Sequence, residues 1–307
     1  MSPVPQERSS RMSGGGRRVR DLLATGERSF SFEFFPPKDA AGVTALWKAL
    51  RELEPLRPTF VSVTYGAGGS SRDTTIEITQ RIARETTMTP MAHLTCVGHT
   101  RDELRSIVGA YADAGVRNVL TLRGDPPGGP GTAWTPTDGG LTYADELVAL
   151  VRSLGDFSVG VAAFPEGHRD AADLDADIAV LRRKQDAGAE FAITEMVLRA
   201  SDYFGLLERA RAAGVTIPVL PGIMPITNLR QIARMAELSG REVPADVVAR
   251  VTRFEGDAEA VRAEGTAIAA ELCEELLRGD APGLHFYTLN RSRATREIYA
   301  DLALPVA

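Results

Sequence analysis

Short apolar and β-branched runs alternate along this chain with longer stretches whose apolar residues recur every three or four positions. The runs predict strands near residues 30–35, 59–64, 91–95, 117–122, 158–163, 190–194, 216–220 and 283–287. Between them lie segments such as DELRSIVGAYADAG and DADIAVLRRKQDAG, whose spacing is helical and whose closing glycines suit a helix C-cap. Strand and helix in strict alternation imply parallel strands, and eight of them predict a closed (β/α)8 TIM barrel in one domain. The interval before the eighth strand is longer and predicts three extra helices, from RQIARMAELSG, PADVVARVTRF and the run Asp257 to Arg278. Residues 1–18, MSPVPQERSSRMSGGGRR, are polar, glycine-rich and basic, so they predict a disordered arm ahead of a barrel over 19–307.

Length and composition agree with that outline. A chain of 307 residues, 44% hydrophobic and 25% charged, is ordinary for a globular protein, and a net charge of -6 argues against a general nucleic-acid binder. Cys96 and Cys273 stand far apart with no second ligand at metal spacing, so neither a disulfide framework, a zinc site nor any other metal is expected. No apolar run reaches the roughly 20 residues that span a bilayer, and no signal-peptide pattern opens the chain, which predicts a cytoplasmic protein with no membrane contact.

In such barrels the active site lies at the C-terminal ends of the strands. The residues predicted there are polar: Glu33, Thr64, His93 with Thr95, Arg123 with Asp125, Glu166 with His168, Glu195, and the TLNR run after Tyr287. The first is the most informative. Glu33 sits in SFSFEFFPPK, an aromatic strand stopped by Pro36 and Pro37, where desolvation is expected to raise its pKa so that it donates a proton near neutral pH. The competing reading is a glutamate paired with an Arg or Lys. VTYGAGGSSRD lacks the last glycine of a dinucleotide fingerprint, and a plain tight turn is the simpler reading. In LRGDPPGG two prolines stiffen a loop carrying Arg123 and Asp125, which either orient a heterocycle or pair with each other. His93 reads as a hydrogen-bonded core histidine, His99 and His285 carry no readable role, and Cys96 reads as an inert buried thiol. No serine-hydrolase elbow and no cluster for metal hydrolysis appears.

Taken together, FSFEFFPPK, VSVTYGAGG, AHLTCVGHT, NVLTLRGDPP, VAAFPEGH, DAGAEFAITE, PVLPGIMPITN and GLHFYTLNR resemble the methylenetetrahydrofolate reductase family in order and spacing, from about Val19 to Leu304. The resemblance implies an FAD enzyme of one-carbon and methionine metabolism that reduces 5,10-methylenetetrahydrofolate to 5-methyltetrahydrofolate. NADH or NADPH would serve as electron source, with ping-pong kinetics and a homo-oligomeric state. It implies Glu33 as the general acid toward folate N10 and Asp125 as the residue facing both flavin and pterin. Cofactor contacts would come from Thr64, Tyr65, Ala67, His93, Arg123, Gly124, Asp125, Ala144, Phe164, His168, Ala171, Asp177, Val180, Arg183 and Lys184. Substrate contacts would come from Thr64, Asp125, Glu195, Gln231 and Arg291.

Departures from the family pattern bear on substrate preference and flavin affinity. Glu195 stands where a glutamine amide is usual, and an ionised glutamate accepts hydrogen bonds without donating them. Met196 and Val197 replace an aromatic pair, Val180 a polar side chain, and Phe164 a frequent tyrosine. Two alternatives stay open at this level: a flavin-independent pterin reductase, and a non-catalytic pterin- or flavin-binding subunit.

Overall fold

The structure, a computed structural model, describes residues 16–65, 69–126, 128–129, 132–239 and 242–304. Eight parallel strands close into a barrel in sequence order: β1 Ser29–Phe34, β2 Phe60–Val63, β3 Pro90–Thr95, β4 Asn118–Leu122, β5 Ser158–Ala163, β6 Phe191–Met196, β7 Val219–Ile223 and β8 Gly283–Tyr287. Helices α2 Ala40–Leu53, α3 Gly69–Glu85, α4 Arg101–Asp113, α5 Ala144–Leu154, α6 Leu174–Asp186 and α7 Ala200–Ala212 follow the first six strands. Between β7 and β8 lie α8 Leu229–Ser239, α9 Ala245–Thr252 and α10 Ala258–Arg278, and α11 Arg293–Asp301 follows β8. The three extra helices therefore stand where the sequence pattern places them.

Two features differ from the sequence expectation. Strand β7 begins three residues later than the predicted 216–220, because Val215 and Ile217 are buried in the helix–strand layer while their carbonyls accept hydrogen bonds from Arg211. Burial there accounts for the apolar run without ladder pairing. A helix α1, Val19–Leu23, also precedes β1, and its five residues are too few to show a period.

Alternation along the strands separates two compartments. Outward-facing Phe32, Val61, Leu94, Val119, Val161 and Phe286 pack against the helices in the main core. Inward-facing Phe60, Met91, Leu120, Phe191, Ile193 and Leu220 fill the lower barrel together with Val19 of α1. Gly160 makes this floor fit, since a Cβ there would fall 2.5 Å from the Phe191 ring. Above the floor the inward positions turn polar, with Ser31, Glu33, Ser62 and His93 all buried.

Helix α1 covers the N-terminal mouth of the barrel. Asn118, at the start of β4, accepts from the Val19 amide at 2.7 Å and donates to the carbonyls of Arg17 at 2.9 Å and Pro90 at 3.0 Å. Arg20 reaches Asp156 and Glu190. Asn118→Ala removes three hydrogen bonds at once, two of them buried, and should cost about 3 kcal/mol, with no change at the far end of the barrel. An unfolding free energy from urea titration within about 0.5 kcal/mol of the native chain would show that apolar packing alone holds α1.

Candidate active site

Glu33 ends β1 pointing into the barrel and is 5% exposed. Its Oε1 accepts from Thr64 Oγ1 at 2.9 Å; around Oε2 lie His285 Nε2 at 3.1 Å, Ser62 Oγ at 3.4 Å and His93 Nε2 at 3.5 Å. No Arg or Lys among the described residues pairs with it. Burial pushes the carboxyl upward, yet the charge of His93 and the hydrogen bonds from His285 and Thr64 outweigh it and hold the pKa below the usual value. The expected upward shift is thus reversed: the sequence shows the apolar strand but not the three donors, Ser62, Thr64 and His285, nor the His93 imidazole, that the fold brings to the carboxylate. His285, which carries no readable role in the sequence, is the closest imidazole to it. His93 is buried with no hydrogen-bond partner on either ring nitrogen, so it is not the satisfied core histidine that its strand suggested. Burial lowers its pKa, against the pull of Glu33.

Distant loops hold this end of β1 in place. Thr288 donates to the Glu33 carbonyl through both its hydroxyl, 2.6 Å, and its amide, 3.2 Å. Asn290 binds both the amide and the carbonyl of Phe35 at 2.9 Å, so the TLNR and FFPP motifs secure each other. On the opposite wall β6 bulges: Ile193 pairs with Leu220 and Met196 with Gly222, leaving Thr194 and Glu195 opposite Pro221. Proline has no N–H for the ladder. The Gly222 amide donates instead to Thr194 Oγ1 at 2.8 Å, and Tyr287 Oη donates to the Thr194 carbonyl at 2.7 Å. A Cβ on Gly222 would strike the Tyr287 ring, so the glycine admits the tyrosine. Burial together with Glu33 and Glu195 holds Tyr287 protonated, its pKa well above the usual phenol.

The bulge extends β6 past the predicted 190–194, and Glu195 lines a small pocket with Phe164, Glu166, Gly167, Met196 and Leu198. Arg291 lines another, of about 190 Å³, with Tyr287, Leu289, Thr227 and Arg262. Gln231 falls in α8, but its side chain lies outside the described residues, as do Gly66, Ala67 and Gly68 of the glycine-rich turn. Asp125 is exposed and Arg123 pairs with Asp170 at 2.8 Å, so the competing reading of an internal Arg123–Asp125 pair is not what forms. Gly124 has a φ of +85° and a Cβ there would strike Val97.

Beyond β5, the Phe164 ring meets His168 edge-on at 4.7 Å and lies under Lys184 Nζ at 5.7 Å. Lys184 is buried, donates to the Ala162 carbonyl at 2.9 Å, and burial pushes its pKa down to about 8 against the charge of Asp177. Arg183 is exposed, Asp177 and Ala144 are buried, and Ala171 and Val180 are half-buried. Tyr65 is tied to His99, 2.9 Å between Oη and Nε2, which gives that histidine a structural role. Cys96 is buried and inert, its thiol pushed up to about 12. A buried imidazole with neither nitrogen hydrogen-bonded at His93, a buried cation on an aromatic ring at Lys184, and Arg123 over the Trp134 indole at 5.5 Å suit a planar heterocycle with an anionic tail. The residues present therefore fit a flavin nucleotide. Among the described residues no cluster of potential metal ligands occurs, and no helix is long and apolar enough to cross a membrane.

Comparison with known proteins gives a consistent result. The family model described as methylenetetrahydrofolate reductase matches residues 18–303. The chain is 37% identical over 279 residues to the 5,10-methylenetetrahydrofolate reductases of Salmonella typhimurium and Escherichia coli, covering 91% of this chain and 92% of each of theirs. It is 35% identical over 298 residues to methylenetetrahydrofolate reductase (NADH) 1 of Arabidopsis thaliana, spanning 94% of this chain and 50% of that one. A solved structure from Clostridium thermocellum, an uncharacterized protein that binds two copies of 5-methyl-5,6,7,8-tetrahydrofolic acid, superposes with a TM-score of 0.65 at 13% identity, covering 93% of this chain and 97% of that one; it shares the fold.

Lys184 supplies a stability test. Its folded pKa of about 8 lies below the ordinary 10.5, so the folded chain binds fewer protons between these values. Its contribution is complete above about 10.5 and is lost as the pH falls through about 8. A gap of this size corresponds to roughly 3 kcal/mol. Lys184→Met should be more stable than the native chain near neutral pH, with the advantage shrinking as the pH rises. Urea midpoints that keep a constant offset from about pH 7 to pH 10 would refute the depressed pKa.

Proposed function

The chain belongs to the methylenetetrahydrofolate reductase family, and on that premise we propose that it reduces 5,10-methylenetetrahydrofolate with bound FAD, NADH or NADPH as electron source and Glu33 as the proton donor. The observation that carries this reading is Glu33 itself, a carboxyl enclosed at the C-terminal end of a barrel strand among hydroxyls and imidazoles. When bound, the flavin would supply hydride transfer between nicotinamide and folate.

The protein residues do the rest. Glu33 protonates N10 of the folate imidazolidine ring; the bond from N10 to the bridging carbon then breaks with its electrons on N10, and that carbon becomes an iminium able to accept hydride. Asp125 and Glu195, at the ends of β4 and β6, would hold the pterin, and Arg291 the part of the substrate nearest α11. Arg123, His168 and Lys184 would hold the nucleotide portion of the cofactor, and a phosphate beside Lys184 would restore its ordinary affinity for a proton. His93, buried with neither ring nitrogen hydrogen-bonded, would donate to or accept from the flavin edge.

Three measurements test the scheme. The purified protein should be yellow, bleached anaerobically by NADH or NADPH and recoloured by methylenetetrahydrofolate; a colourless chain that FAD does not reconstitute would indicate direct transfer from nicotinamide. Glu33→Gln should slow folate reduction by roughly 10²- to 10⁴-fold while nucleotide oxidation with an artificial acceptor persists. Equal loss of both would remove Glu33 from its role. Glu195→Gln restores an amide donor and should lower the folate KM by roughly 3- to 10-fold; an unchanged KM would place Glu195 away from the pterin.

A further inference from the structure

The two oxygens of Glu33 have unequal surroundings. Three groups crowd Oε2, namely His285 Nε2, Ser62 Oγ and His93 Nε2, whereas Oε1 meets only Thr64 Oγ1. Thr64 has one hydroxyl hydrogen and two acceptors in reach, Glu33 Oε1 at 2.9 Å and the Phe34 carbonyl at 3.2 Å. It can donate to a carboxylate, or turn to Phe34 and accept from a carboxylic acid. Both protonation states of Oε1 are therefore satisfied.

Behind Oε2 the arrangement favours one state. Ser31 Oγ lies 2.7 Å from His285 Nδ1, while its other acceptor, the Leu284 carbonyl, is at 3.5 Å. If the serine hydrogen lies on this shorter contact, the imidazole carries its own hydrogen on Nε2, facing Oε2. Ser31 and His285 are fully buried, and the imidazole is stacked on Phe60 with ring centres 5.7 Å apart, so its plane is held.

We propose that Ser31 and His285 are positioning residues that confine the transferable proton of Glu33 to Oε1, because Ser31 fixes the Nε2–H tautomer of His285 and that N–H occupies Oε2. The proposal rests on Glu33 being the acid. During transfer the Oε1–H bond breaks, its electrons stay on Glu33, and an N–H bond forms on the substrate nitrogen. Thr64 then turns its hydroxyl from Phe34 to Oε1, while the His285 N–H remains on Oε2. A solvent proton reloads Oε1 once the product has left. The other ionisable groups here do not compete: His93 on β3 is lowered by burial, Tyr287 on β8 keeps its proton and donates to Thr194, and Glu195 on β6 lines a separate rim pocket.

The chain has four histidines, so ¹⁵N spectra of histidine-labelled protein are tractable. Native His285 should give the neutral Nε2–H pattern. Ser31→Ala should release the other tautomer, slow the folate half-reaction by roughly 10-fold, and move its alkaline limb to higher pH, since the carboxylate loses a donor. The nucleotide half-reaction should be unchanged. His285→Gln, which keeps an N–H, should retain more folate reduction than His285→Leu. A native His285 found as the Nδ1–H tautomer or as imidazolium overturns the proposal, as does a Ser31→Ala pH profile that superimposes on the native one. Folate reduction that survives Glu33→Gln would instead overturn the acid assignment beneath it.

Discussion

A carboxylate enclosed at the centre of a closed barrel has to be solvated by the protein, and the upper half of this barrel is organised around that requirement. An Arg or Lys would meet it most simply, but would hold Glu33 ionised. Here the donors are the Ser62 and Thr64 hydroxyls and the His285 imidazole, groups that can reverse or withdraw a hydrogen bond, with the His93 imidazole in contact at 3.5 Å. The carboxyl is therefore kept low in pKa without a permanent countercharge, and covering the site with a neutral ring would shift the balance toward the protonated form by removing its remaining solvent. That is a poised acid rather than a structural ion pair.

The same requirement explains features of the backbone that otherwise look unrelated. Thr288 and Asn290 fix the exit of β1, with Leu289 at φ +51° and Asn290 at +58°, a conformation common for asparagine and strained for leucine. Across the barrel, the β6 bulge is made tolerable by Pro221, Gly222 and the Tyr287 hydroxyl, which together account for the amide and carbonyl that the broken ladder leaves. The result aims Glu195 at the pocket rim rather than into the ladder.

Much of this is readable in the amino-acid order, and the unreadable part has a common cause. Strand-end residues such as Glu33 and Arg123 announce themselves because each sits in a short run with its own stop signal, FFPP or GDPP. His285 does not: within LHFYT it is one alternating residue among others, and its contact with Glu33 joins positions 252 apart. The sign of the Glu33 pKa shift is hidden for the same reason, since burial is local while the donors are not. Nothing around Lys184 in DADIAVLRRKQDAG marks it as buried, yet α6 turns it toward β5, where it is buried on Phe164. The displaced start of β7 shows the converse, β-branched residues whose burial comes from helices rather than from a ladder.

Floor and roof of the barrel divide stability from chemistry. The helix–strand core and the apolar floor sealed by α1 bury the large side chains, including Phe32, Phe60, Phe191 and Phe286, and none of these belongs to the hydrogen-bonding roof. The roof also holds groups that work against folding: a buried histidine whose ring nitrogens make no hydrogen bond and, beyond it, a lysine whose burial disfavours its charge. Such groups are tolerable only on a scaffold whose stability comes from elsewhere, and each becomes favourable when a ligand provides the missing partner. By that argument the strained end of the barrel is where binding and folding are coupled, so occupants of the site should stabilise the whole chain well beyond the contacts they make.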